Sequence, residues 1–312
     1  MNNIVENQKT EAAVEAGIAF RYAYDRAKFW KAIVWLIALL LAIIQTVVSV
    51  WMVSGLQLSF DASYITVFPL LAFVFISAIG KNLICKWQLK GCTIQRLHDY
   101  LTMGVGVRPS PMELHKSEVL NFIIKRGEKS KKDRESLKTW WSLSLGDIPY
   151  PVAKLIANYS TFAWETELRR KYHKFLFYLL ILFTLSPFVI GLILDYTLID
   201  SIVILFSPFT PIIAVIWDEY IVNRNNIEIA QGLKVNCCQT WENLLSGKLS
   251  SHELDNLSEQ HISYWQNFRK SATPIFEFVY FYFRKVMDQD MLIDTDDLIS
   301  QFNGCKGVYN DE

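Results

Sequence analysis

Apolar residues along this chain gather in four long runs, at 32–53, 62–80, 175–194 and 201–217. None of the four contains Asp, Glu, Lys, Arg or His. A bilayer core about 30 Å thick is crossed by roughly 20 apolar residues in an α-helix. The first three runs hold 22, 19 and 20 residues, and the fourth holds 17. Four uncharged runs of this length predict an integral membrane protein with four transmembrane helices. The first run is too long for a cleaved signal peptide, and no small-residue cleavage site follows it. It is expected to remain as a span.

Between and after the spans the pattern turns helical. Leu114, Val119, Phe122 and Ile123 recur at helical spacing after Ser110-Pro111. This predicts a helix that starts there and is closed by Gly127. The stretch EKSKKDRES (128–136) reads as a charged, solvated loop. Pro149 and Pro151 predict a turn over 147–151. From Pro151 a helix is predicted to run unbroken into the third span. Residues 218–245 read as a helix leaving the membrane. Pro274 opens an aromatic helix, PIFEFVYFYFRKVMDQDM, whose Glu277, Arg284 and Lys285 argue against a fifth span. It suits a core position or the membrane interface. The expected fold is an all-α integral membrane protein whose mainly helical cytoplasmic region is built from the 81–174 loop and the C-terminal tail. The expected segments are a 1–31 N-terminal piece, spans at 32–53 and 62–80, the 81–174 loop, spans at 175–194 and 201–217, and the 218–312 tail.

Charge gives the spans a direction. Neither short hairpin loop, 54–61 or 195–200, carries Lys or Arg, so all 31 basic residues fall on one side. The positive-inside rule places that side, with both termini, in the cytoplasm. Trp30, Trp51, Trp87 and Trp217 lie near span ends, where interfacial aromatics belong. The zero net charge conceals an asymmetry. Loop 81–174 holds 18 basic and 9 acidic residues, a net of +9, and tail 218–312 holds 8 and 15, a net of −7. Either the two pack together as one body or the loop faces anionic headgroups. The five cysteines all fall on the inner side, where free thiols are expected.

Candidate chemistry is sparse. No catalytic motif, metal-ligand spacing or cofactor signature is present, which points away from an enzyme, and no DNA or RNA binding is expected. Gly104–Gly106 lacks the rest of a dinucleotide fingerprint, and GKLS (247–250) lacks the upstream glycine of a phosphate loop. The spans are more informative. Gln45, Thr46 and Ser49 share a face with Ala42; Thr184 shares one with Pro187 and Gly191; Ser207 and Thr210 share one with Pro211 and Ala214. Such small, polar faces pack helices together or line a water-filled path. Prolines 69, 187, 208 and 211 interrupt the hydrogen-bond ladder of their spans. The missing intramembrane charge argues against coupled transport. Four helices enclose little space, so a conducting path would need several subunits. Lys125, Arg126, Lys129, Lys131, Lys132 and Arg134 form a basic run that offers charge to a phosphate or stands as a solvated loop.

The N-terminal NNIVENQ, RYAYDRAK before the first span, TIQRLHDYL after the second, and above all residues 138–172 resemble the SMODS-associated four-transmembrane effectors of bacteria. The matching positions are Trp140-Trp141, Asp147 to Pro149, Asn158, Trp164-Glu165, Arg169-Arg170 and Tyr172, with Pro274, Tyr280 and Arg284 near the end. LIA stands before Asn158 where the family tends to carry Cys-Gln. The resemblance implies a homo-oligomeric, pore-forming or membrane-disrupting effector of the bacterial inner membrane. It would act in cyclic-oligonucleotide-based antiphage signalling (CBASS) and abortive infection, beside a nucleotidyltransferase that makes the second messenger. The alternative is a scaffold or sensor that recruits a partner through its cytoplasmic tail and has no pore of its own.

Overall fold

The computed structural model describes residues 2–53 and 63–305, with side chains at 2–51 and 70–305. The expected hairpin loop 54–61, the first residue of the 62–80 run and the side chain of Pro69 lie outside the described residues. Within them all regular structure is helical. The order is α1 (Ile4–Asn7), α2 (Glu11–Val53), α3 (Ser63–Met103), α4 (Lys116–Arg126), α5 (Lys129–Lys138), a 3₁₀ turn (Leu143–Asp147), α6 (Tyr150–Ile193) and α7 (Leu198–Asp200). A π-helical segment (Ser201–Phe206) then leads to α8 (Ser207–Leu245), α9 (Ser251–Ser271) and α10 (Glu277–Gly304). Four helices are long and apolar enough to cross a membrane.

The chain folds as two units. One comprises 1–26, 87–170 and 225–312; the other comprises 27–86 and 171–224. Most of the loop, of the tail and of the N-terminal segment thus shares a single unit, here called the soluble unit. Each passage of the chain between units falls inside α2, α3, α6 or α8.

The second unit holds the apolar runs. Its inner face on α2 is a stripe of Ala27, Lys31, Val34, Ala38, Ala42 and Gln45, all buried at i+3 and i+4 intervals. Small side chains there let helices approach closely. Gly80 of α3 sits against Val34, so that any Cβ at 80 would clash with it. Outward-facing Leu40, Ile44, Val74, Phe75, Leu182 and Val189 are exposed, as side chains that meet lipid must be. The hairpin between α6 and α7 turns at Asp195, whose φ of 54° is left-handed, while Tyr196 N–H donates to Gly191 O at 2.9 Å. The π-helical segment ends two residues before Pro208, and Ser207 N–H reaches Ile202 O. A wide turn of this kind takes up the missing N–H and the bulk of a proline. Pro187 and Pro211 lie inside α6 and α8.

The soluble unit has an ordinary packed core. Trp141, Phe162, Trp241, Trp265, Phe268 and Phe302 are buried together, each worth about 1.5–3 kcal/mol of transfer free energy before entropy is counted. Phe162 and Trp265 rings pack with centroids 4.8 Å apart. Trp87 packs among Tyr22 and Phe122, with Arg26 and Lys90 over its ring. It is the first residue of α3 that belongs to this unit.

Three elements differ from the sequence expectation. Helix α4 begins at Lys116, because Ser110 and Glu113 cap each other across a separate turn. The stretch 128–136 is mostly helix α5. Its Asp133 and Leu137 are buried, and they anchor a segment whose other residues are charged. Helix α9 is an element beyond those expected, and Ser250 and Glu253 form a capping box at its start.

Candidate functional site

In the membrane-embedded unit, three helices meet through one polar group of side chains. Lys31 of α2 lies 2.6 Å from Glu219 Oε1 of α8 and 3.0 Å from the hydroxyl of Tyr172 on α6. Tyr172 O–H in turn donates to Glu219 at 3.3 Å. All three are buried, Tyr172 completely. A buried cation and carboxylate persist only when paired and hydrogen-bonded, because desolvation costs several kcal/mol per ion. Each of the three therefore fixes the other two, and through them the ends of three spans. Lys81 and Asp218 add an exposed pair at 2.8 Å. Tyr220 stacks on His173 and Trp217 nearby.

In the soluble unit the structure brings most of the motif residues to α6 and α10. Trp164 donates its indole N–H to Asp288 Oδ1 at 3.2 Å, and its ring meets Tyr280 edge-on at 5.5 Å. Arg284 binds the same Asp288 at 3.0 Å and lies over the Tyr280 ring. One turn along α6, Arg169 pairs with Glu165 at 2.7 Å, reaches Thr273 O at 3.4 Å, and covers the Phe268 ring. Arg169 is buried in this pair and Glu165 partly buried. Asn158 donates to Ser258 O at 3.2 Å in the core. Trp141 is held through its backbone by Gln8, whose Oε1 accepts from Trp141 N–H at 2.9 Å. Asp147 is exposed at the end of the 3₁₀ turn, and Arg170 is exposed and binds Gln231 at 2.9 Å. These residues pack and orient helices.

The six cations of the basic run divide. Arg126 bonds Asp133 at 2.6 Å and also pairs with Asp25, and Arg21 holds the other Asp133 oxygen at 2.8 Å. Arg134 pairs with Glu11 at 2.5 Å, and Lys131 with Glu128 at 3.2 Å. Lys125, Lys129 and Lys132 are exposed. In the spans, Gln45 is buried and Thr46 donates to Ala42 O at 2.8 Å, with Ser49 partly exposed. Thr184 is partly buried on the Pro187–Gly191 side of α6. Ser207, Thr210 and Ala214 face outward from α8.

Sequence reading missed Lys31, Glu219, Asp288 and Asp133. Lys31 and Glu219 flank uncharged runs, where charges are ordinarily solvated. The available signal was the sign of Glu219, an acid directly after a span on the basic side.

Four apolar helices joined to a compact helical unit define a multi-pass α-helical membrane protein. A family model described as the SMODS-associating 4TM effector domain matches residues 2–298. The chain belongs to that family, and its role is that of a membrane effector. No curated protein and no solved structure matches it.

Proposed function

We propose that several copies of this chain assemble in the bacterial inner membrane, with both termini cytoplasmic, and open an aqueous breach when a cyclic oligonucleotide signal reaches the soluble unit. The observation that carries this reading is the outward face of α8. Ser207, Thr210 and Ala214 are exposed there, while Ile204 and Leu205 of the preceding π-helical segment and Ile212 and Ile216 of α8 are buried. A small, hydroxyl-bearing face turned away from its own unit gains most from another helix or from water, since lipid offers it no hydrogen bonds. The continuous helix α6 supports coupling, because it carries both the Trp164–Arg169 motif and Tyr172. The family's association with SMODS nucleotidyltransferases supports the nature of the signal.

Dye-loaded liposomes holding the purified protein test this. Release is expected on adding the product of a SMODS nucleotidyltransferase, and Thr210→Ile is expected to cut it severalfold. A cysteine placed at 210 is expected to react with a water-soluble thiol reagent in the activated state. Absence of release with every cyclic oligonucleotide tried, in protein shown to be folded, overturns the breach and favours a scaffold that recruits a partner.

A further inference from the structure

Within the soluble unit, α6 and α9 meet along a polar seam that the 104–106 loop edges. Lys154, Asn158 and Phe162 of α6 contact Glu259, Ser258 and Trp265 of α9 in turn. Gly104 and Gly106 have φ of 63° and 72°, left-handed values that favour glycine. The Gly106 N–H donates to Glu259 Oε2 at 2.7 Å. Lys154 Nζ donates to the other oxygen of that carboxylate at 3.3 Å. It also pairs with Asp255, one turn earlier on α9, and lies over the Tyr150 ring at 4.7 Å. The Lys154 side chain is 3% exposed, and those of Asp255 and Glu259 are 42% and 37% exposed. A buried ammonium and a backbone N–H thus sit beneath two carboxylates that reach the surface. Gln266 Nε2 lies beside Gly106 and has no hydrogen-bond partner among the described residues. Arg108, two residues on, is exposed.

Farther along the seam, polar atoms stand unpaired. Asn158, Ser258, His261 and Trp265 are all more than nine-tenths buried. Their Oδ1, Oγ, Nδ1 and Nε1 atoms have no hydrogen-bond partner among the described residues. Leaving such atoms unpaired is costly. The Trp265 ring packs on Phe162 and Phe268.

We infer that this seam is a nucleotide site, held shut here by Glu259 standing where a phosphate binds. A carboxylate and a phosphate accept from the same donors. A phosphate has more oxygens, so it also engages Gln266 and Arg108. Displaced, Glu259 swings into the solvent it already touches. Unpaired donors and acceptors beside aromatic rings suit the edge and face of a nucleobase, which reaches them as α9 shifts against α6. A tie that served packing alone is matched or bettered by apolar residues, and it leaves the unpaired atoms without a use. The inference rests on the nucleotide signal proposed above and gives it a place to act.

Equilibrium binding to the full chain in detergent tests it, with thermal unfolding as the check on folding. The probes are 3′,3′-cyclic dinucleotides, the product of a SMODS nucleotidyltransferase, and inorganic pyrophosphate. Glu259→Gln keeps an acceptor for the Gly106 N–H and removes the competing charge, so nucleotide binding is expected to tighten severalfold. Lys154→Met is expected to weaken it about tenfold, the worth of one charge-assisted hydrogen bond, and Lys154→Arg to retain it. Ser258→Ala removes an unpaired hydroxyl. It is expected to weaken nucleotide binding, spare pyrophosphate and leave the unfolding temperature no lower. Wild-type affinity in either Glu259→Gln or Lys154→Met overturns the proposal. So does absence of binding of every probe to folded wild-type and Glu259→Gln protein. Pyrophosphate binding as tightly as every nucleotide overturns the nucleotide assignment and leaves an anion site. Dye release measured in parallel separates the two ideas. Release unchanged in Lys154→Met removes this site and leaves the breach standing. Nucleotide binding that Lys154→Met weakens, without release in the wild type, keeps the site and removes the breach.

Discussion

Lys31 and Glu219 sit 2.6 Å apart and buried, though both lie outside the uncharged runs. They join the start of the first span to the end of the fourth, with Tyr172 of the third as common partner. The ends of three spans are thus tied by two charges and one hydroxyl.

Removing one member of that pair strands the other. Lys31→Met and Glu219→Leu are each expected to destabilise the protein by about 3–5 kcal/mol, and the double variant by much less, since both charges then go. Tyr172→Phe is expected to cost about 1 kcal/mol through its lost hydrogen bonds. Thermal unfolding in detergent, arranged as a double-mutant cycle, checks all three. Additive losses in the double variant would show that the pair is not coupled.

Asp133 is the anion shared by Arg21 and Arg126. Burial alone would raise its pKa, but the two guanidinium groups outweigh burial and hold the carboxyl below its ordinary range. The unfolded chain therefore takes up this proton first as pH falls. The stabilisation is complete above about pH 4, the usual aspartate value, and is lost as pH drops from there through the lowered value of the folded state. Asp133→Asn is expected to cost about 3 kcal/mol at neutral pH and to flatten the acid limb of the stability profile. Chemical denaturation across pH 3–7 reads both effects.

His261 carries the opposite charge type. Burial lowers its pKa, and its Nε2 lies 3.1 Å from the Thr240 hydroxyl. The folded protein resists protonation there, whereas the unfolded chain accepts a proton near pH 6.5. The stabilisation is present above that pH and is lost as pH falls through the lower value of the folded state. Denaturation midpoints at pH 7.5 and 5.5 are expected to differ less in His261→Gln than in the wild type. An equal difference in both would rule out His261 as the source.

Asp288 accepts from both Trp164 and Arg284. Trp164→Phe keeps the aromatic contact with Tyr280 and removes the indole donor, so a loss of about 1–2 kcal/mol is expected. Asp288→Asn is expected to weaken docking of α10 on α6, seen as faster hydrogen exchange over 277–290. Unchanged exchange in that variant would argue that apolar packing alone holds α10.

What the sequence determined here is what periodicity and composition control. Four runs without a charge can fold stably only as helices in an apolar medium, since every backbone polar group must be satisfied within its own segment. The helix 150–193 follows from an apolar and polar pattern with no glycine or proline between Pro151, in its first turn, and Pro187. Family membership followed from short motifs around Trp164, Arg169 and Tyr172. Tertiary structure decided which charges are solvated and which are paired. Residues 128–136 look like a loop by composition, and they become helix because Asp133 finds Arg21 from a distant segment and Arg126 from the end of the adjacent helix α4. Lys31 and Glu219 look like border charges until folding brings residues 188 positions apart within hydrogen-bond distance. Local pattern cannot carry that information, because pairing energy depends on distance in space and on the water excluded between partners. The outward face of α8 was an open question for the same reason: periodicity defines a face, and only packing shows which way it turns.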